Sequence, residues 1–234
     1  MEEGLALIDA SGLRRLRAVG RVAELAAQVD ETQAAGATGI AHTRWATHWV
    51  PCERNAHPHI SDCLAVVHNG IIENHEELRT RLQAAGYVFT SDTDTEVVAH
   101  LIALELRTQN DLFTAVRAAI AQLQGAYAIA VLREDDPERI VVAREGSPLL
   151  LGIAEHGHYA ASDASALIQV TRRIVYLDNG DCAELTRSGY RITRVDGTPV
   201  ERPVSESHLS ADAVELGQYR HYMQKEIFEQ PVAL

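Results

Sequence analysis

Apolar residues flank Asp9-Ala10-Ser11-Gly12 over the stretch Gly4 to Val19, a pattern that reads as a β-hairpin. Val22 to Val29 follows with helical spacing. Gly39 to His42 and Leu64 to His68 are short apolar runs that end in polar residues, as buried strands do. Asn74 stands three residues before Glu77 and Thr93 three before Glu96, so capping boxes are expected to open helices over Glu76 to Ala85 and from Thr93 to about Arg107. Gly86 is placed to end the first of these. Asp111 is the expected N-cap of a third helix carrying Leu112, Val116, Ile120 and Leu123.

Beyond Gly125 the texture turns to β. Ala126 to Leu132, Arg139 to Ala143, Leu149 to Ile153, His158 to Ala161, Arg173 to Leu177, Cys182 to Leu185 and Tyr190 to Val195 are of strand length, with one short helix expected over Ala164 to Ile168. Gly217 to Leu234 is polar and helix-prone until Pro231. Strands, then helices, then strands predict an α+β layered domain.

The length of 234 residues and a hydrophobic fraction of 46% suffice for a sizeable core. No apolar run reaches the roughly 18 residues of a membrane span, and the acidic start lacks the basic region of a signal peptide. A cytoplasmic protein is therefore expected. The net charge of -12 disfavours nucleic acid and anionic membranes as partners. Cys52, Cys63 and Cys182 are odd in number and widely spaced, against a disulfide framework and a structural zinc site.

The candidate chemistry is dense between His42 and Asp94. His42, His48, His57, His59 and His68 are five of the 11 histidines. Clustered imidazoles can ligate zinc, but no pair has the His-Glu-x-x-His spacing and Pro58 separates His57 from His59, so most are expected to be hydrogen-bonded structural rings. Arg44 offers a planar fork for a carboxylate, with Thr47 and His48 close enough in sequence to assist, and Asp94 suits an ammonium. Taken singly, Arg44 reads better as a surface ion pair and Asp94 as a first-turn acid beside Thr93. Asn69-Gly70 ends an apolar run, where an Asn amide and a Gly N–H can form an oxyanion hole, although spacing alone favours a simple hairpin turn. These residues alone predict a polar binding site and no particular reaction.

Taken in order, the strings His42-Thr43-Arg44-Trp45-Ala46-Thr47-His48, Asn55-Ala56-His57-Pro58-His59, His68-Asn69-Gly70-Ile71-Ile72-Glu73-Asn74, Ser91 to Val97, Gly125-Ala126-Tyr127, Arg144 to Leu149 and Ala161-Ser162-Asp163 resemble the class II glutamine amidotransferases. Tyr219 to Ile227 with Glu229-Gln230-Pro231 is similar to the junction into the sugar-isomerase half of the glucosamine-6-phosphate-forming branch. The resemblance implies an N-terminal-nucleophile hydrolase fold, a four-layer αββα sandwich. It divides the chain into a glutaminase domain over 1–215 and the start of a linker over 216–234. It further implies hydrolysis of L-glutamine, with the ammonia passed to fructose 6-phosphate by an isomerase domain outside this sequence, no cofactor, and a homodimer at full length. Arg44, Thr47 and His48 would hold the substrate carboxylate and Asp94 its ammonium. Asn69 and Gly70 would form the oxyanion hole, and Trp45 would sit on a closing loop.

The family's opening Cys-Gly-Ile, whose thiolate attacks the amide, and its Tyr-Arg-Gly-Tyr-Asp-Ser string have no counterpart in these 234 residues, and Trp49 stands where the family has Gly. The fold is therefore expected to be truncated at the N-terminus, and this chain is expected to release no glutamate by itself. A non-catalytic glutamine-binding module and a histidine metal site are the alternatives.

Overall fold

The computed structural model describes residues 1–44, 52–207, 217 and 219–233. The hairpin is β1 (Glu2–Asp9) with β2 (Gly12–Val19), paired antiparallel from Glu2↔Val19 to Asp9↔Gly12. Asp9 closes its turn by accepting the Ser11 N–H at 2.7 Å. After α1 (Val22–Thr32), β3 (Thr38–Arg44) returns along the other edge of β1. The chain continues through β4 (His59–Ser61), β5 (Leu64–Ile72) and the helices α2 (His75–Ala84), α3 (Asp94–Gln109) and α4 (Leu112–Ile120). The strand-rich half holds β6 (Gly125–Arg133), β7 (Asp136–Glu145), β8 (Leu150–Ala154), β9 (Gly157–Ala161), β10 (Arg173–Tyr176), β11 (Asp181–Thr186), β12 (Tyr190–Arg194), β13 (Pro199–Val200) and β14 (Val204–Glu206). A last helix, α5, spans Tyr222–Ala233.

A seven-stranded sheet, ordered β13-β12-β11-β7-β6-β5-β4, forms the centre. On one face, Val66, Ile129, Val131 and Val141 pack against Val97, Leu101 and Ile102 of α3 and Phe113 and Val116 of α4. On the other face lies a second β layer made of two sheets, β2-β1-β3 and β14-β10-β8-β9. Ala6, Ile8 and Ile40 meet Ala65, Val67 and Leu132, while Leu151, Ile153 and Val175 meet Val142, Ala183 and Leu185. With α1 packed on β2 and β1, the layers run helix, sheet, sheet, helix, as the family resemblance implies. Leu64 to Val67 is apolar at every position because β5 is covered on both faces. No helix among the described residues is long and apolar enough to cross a membrane.

Two local expectations hold. Asp111 caps α4 by accepting from the Thr114 N–H at 2.9 Å, and Gly86 (φ 94°) follows the end of α2. Neither expected capping box forms. Asn74 instead donates to the Gln122 carbonyl and accepts from the Gln124 N–H, tying α2 to the approach of β6. Thr93 precedes α3 without a side-chain cap, because its hydroxyl bonds Ser91 and His59 and Glu96 is taken up by Thr90 and Ser91. The expected helix at Ala164 is a single 3-10 turn, Ala164–Ala166. α5 continues through Pro231, two residues short of its end.

Leu101 is fully buried between α3 and the central sheet. Leu101→Ala is expected to cost about 2–5 kcal/mol and Asp111→Ala about 1 kcal/mol, each read as a shift in the midpoint of urea denaturation.

Candidate functional site

The end of β3, the end of β5 and the N-terminus of α3 converge. Pairing of β4 with β5 stops at His59↔Val66, whereas β5 and β6 stay paired to Ile72↔Gly125. Among the described residues, no strand flanks β5 on the β4 side at Asn69-Gly70-Ile71. Asn69 is half-buried, and Gly70 and Ile71 are exposed. Gly70 adopts φ 127°, and a Cβ there would fall 2.0 Å from the Ala126 carbonyl oxygen, so the position requires glycine. Asp94, the first residue of α3, reaches back to β5, where its Oδ2 accepts the Ile72 N–H at 2.8 Å. The positive end of the helix favours a carboxylate at that position.

Behind this edge lie three imidazoles. His42 Nε2 is 2.7 Å from Asn69 Oδ1 and His42 Nδ1 is 3.1 Å from His57 Nδ1. Thr95 Oγ1 lies 2.7 Å from His57 Nε2 and 3.0 Å from His68 Nδ1, which in turn stands 4.0 Å from Asp94 Oδ2. The β1 backbone presses against the same cluster: a Cβ on Gly4 would fall 1.8 Å from the His57 carbonyl oxygen. Burial pushes all three rings toward the neutral form. It lowers the His42 pKa and takes that of His57 well below its ordinary value, and His68 falls to about 4 although Asp94 pulls the other way. His59, buried beside Thr93, is lowered to about 3, again by burial.

The loop entering α3 is held from within. Glu96 accepts from the Thr90 N–H and hydroxyl and from the Ser91 N–H and hydroxyl. Burial alone would raise its pKa, but these hydrogen bonds outweigh that and hold it below the ordinary value. Arg79 donates to the Ser91 and Thr93 carbonyls. Asp94 therefore sits on a braced turn.

Asn69, Gly70 and Asp94 are brought together along β5. Arg44 lies two residues past His42 on β3, where its Nη1 donates to Glu2 Oε2 at 2.5 Å. Glu2 is buried and also accepts the Cys52 N–H at 2.7 Å, so the ion pair is an interior one. Trp45, Thr47, His48 and Trp49 lie outside the described residues. His42, His57, His59 and His68 are hydrogen-bonded rings, as expected of most of the histidines, and both ring nitrogens of His42 and of His57 are engaged. The ordered contacts through Thr95 were not read from sequence. The clustering of histidines was the available signal, but their partners lie 15 to 38 residues away along the chain.

Comparison with known proteins gives one consistent family. A sequence profile described as "Glutamine amidotransferase domain" matches residues 42–169. The chain is 57% identical to the glutamine–fructose-6-phosphate aminotransferase [isomerizing] of Vibrio cholerae and 58% to that of Acidithiobacillus ferridurans, in each case over 99% of this chain and 38% of the relative. It thus spans little more than a third of these relatives' length. Among solved structures, the glutamine phosphoribosylpyrophosphate amidotransferase of B. subtilis superposes with a TM-score of 0.70 at 26% identity, covering 83% of this chain and 43% of that one. A glutamine aminotransferase class-II domain protein from Silicibacter pomeroyi shares the fold, with a TM-score of 0.59 at 19% identity over 82% of this chain and 90% of its own.

Neutral buried rings make stability depend on pH. The unfolded chain takes up protons from about pH 6.5 downward, while the folded His68 resists to about 4 and His59 to about 3. This contribution is complete above pH 6.5 and is lost as pH falls toward 4. The urea midpoint is expected to drop between pH 7 and pH 5, and a flat profile there would show that the folded rings take up protons as readily as the unfolded chain does.

Proposed function

This chain belongs to the glutamine amidotransferase domain family, and from that premise we propose that its site binds L-glutamine. In the longer protein, the domain would hydrolyse glutamine to glutamate and ammonia, and the ammonia would aminate fructose 6-phosphate. The observation that carries this reading is whole-chain identity of 57% to a relative of that activity, joined to an open strand edge where Asn69, Gly70 and Asp94 meet. On this reading residues 1–215 are the glutaminase domain and 216–234 lead toward a sugar-isomerase domain, with the full-length protein a homodimer.

The roles follow from chemistry. Asp94 keeps Oδ2 on the Ile72 N–H, and its Oδ1 accepts no bond from a described residue, so an α-ammonium has an acceptor there. Asn69 and Gly70 supply N–H groups to the amide oxygen as it gains charge on attack, the kind of stabilisation worth about 3 kcal/mol per donor in acyl transfer. Arg44 takes the substrate carboxylate, sharing its guanidinium with Glu2, and Thr47 and His48 assist, while Trp45 closes over the ligand.

Hydrolysis needs a nucleophile beside a base, and within these residues no cysteine supplies one. Cys52, Cys63 and Cys182 carry no free α-amino group, and burial pushes the Cys182 thiol far up. A polypeptide of these 234 residues is expected to act as a glutamine binder, and glutamate release from it that a thiol alkylator abolishes would refute this. By calorimetry, Asp94→Asn is expected to weaken glutamine binding about 10- to 100-fold, the loss of one charge-assisted hydrogen bond. Equal affinity for glutamine and for its analogue without the α-amino group would remove Asp94 from this role.

A further inference from the structure

Four hydrogen bonds in series join α3 to β5, from His68 through Thr95, His57 and His42 to Asn69. Because the rings are neutral, each carries a proton on one nitrogen only. His57 and His42 meet Nδ1 to Nδ1, so one donates and the other accepts, and the direction chosen at any one contact sets every other.

The His68 end decides the direction. Asp94 Oδ2 stands 4.0 Å from Nδ1 and favours a proton there. His68 Nε2 is buried and makes no well-formed hydrogen bond among the described residues, although the Ala126 carbonyl lies near the ring. The Asp94 carboxylate carries a full charge where the carbonyl carries a partial one, and at the far end Asn69 presents Oδ1, an acceptor, to His42 Nε2, so both ends agree on a proton at His68 Nδ1. With the proton on Nδ1, His68 donates to Thr95 Oγ1, and the Thr95 hydroxyl must then donate to His57 Nε2. The His57 Nδ1–H donates to His42 Nδ1. His42 is left protonated on Nε2 and donates to Asn69 Oδ1.

We propose that Thr95 and His42 are positioning residues whose one-way series of hydrogen bonds holds the Asn69 amide with its oxygen inward and its N–H groups toward the ligand. The inference rests on the reading of Asn69 as a donor to the glutamine amide oxygen. Reversed, the same series would turn the Asn69 oxygen toward the developing oxyanion and oppose the reaction. The series also makes the ammonium-holding carboxylate and the oxyanion donor parts of one unit, since Asp94 biases the proton at one end and Asn69 is oriented at the other.

The test is long-range 1H–15N spectroscopy of the imidazoles in the uniformly labelled 234-residue chain without ligand, on the wild type and on Thr95→Val and Thr95→Ser. The expected wild-type state is His42 protonated on Nε2 with His57 and His68 protonated on Nδ1. Thr95→Val removes the hydroxyl at nearly constant volume, and His42, which residue 95 does not touch, is expected to become a mixture of tautomers. Thr95→Ser is expected to restore the single form. His42 protonated on Nδ1 in the wild type would overturn the proposal, as would a folded Thr95→Val in which His42 is unchanged. Should Thr95→Val not fold, the wild-type tautomers and the serine variant still decide. L-glutamine added to the same wild-type sample is expected to shift the Asn69 side-chain amide signal. The expected tautomers with no such shift would uphold the hydrogen-bond direction and refute the glutamine reading.

Discussion

Imidazole rings can be buried without charge only if each proton they carry finds an acceptor, and this molecule meets that demand by bringing four separate segments together. His42 comes from β3, His57 from the loop before β4, His68 from β5, and Thr95 from the first turn of α3. Because each ring answers to a neighbour from another element, the cluster fixes how the three-stranded sheet, the central sheet and the helical layer meet. The close approach of Gly4 to the His57 carbonyl is part of the same arrangement, since a side chain at that position would force β1 away from the rings.

The electrostatics of the site follow from where burial is complete and where it is not. The rings behind β5 are uncharged, so they add no field that would compete with Asp94 for an ammonium. Arg44 and Glu2 form an interior ion pair, and neutralising a charge in place costs less than leaving it unpaired. Any anion that comes to Arg44 meets a guanidinium already balanced in part. The affinity of such a site depends on the remaining donors around the ligand as much as on the arginine itself.

How much was legible in the sequence depended on the reach of the interaction. The hairpin across Asp9 to Gly12, the apolar stripe of α3 and the Asp111 cap are set by residues within a few positions of one another, and they stand as read. Thr93, Glu96 and Asn74 have the spacing of helix caps yet bond elsewhere, Glu96 to Thr90 and Ser91 in the loop before α3, Thr93 also to His59 and Asn74 to Gln122 and Gln124, because a hydroxyl, carboxylate or amide bonds whichever partner the fold presents. The histidine cluster shows both sides. That its rings would be hydrogen-bonded followed from residue type and from the lack of metal-ligand spacing, but the pairing of His57 with Thr95 across 38 residues required the fold. Asn69, Gly70 and Asp94 were named from strings alone, and the fold supplies the reason they meet: β5 outruns β4 just where α3 begins.

The second β layer consists of two sheets that share no backbone hydrogen bonds in the described residues. Each is joined to the central sheet through side chains, one by Ile8, Ile40 and the His42–Asn69 hydrogen bond and the other by Leu151, Val175 and the bond of His158 to the Thr186 carbonyl. Backbone cooperativity therefore stops at the boundary between them. Among the described residues nothing in the backbone obliges the two sheets to open together, so their amide protons are expected to exchange separately. What the two sheets share is side-chain contact, through Ala130 and Ile140, which pack against both clusters.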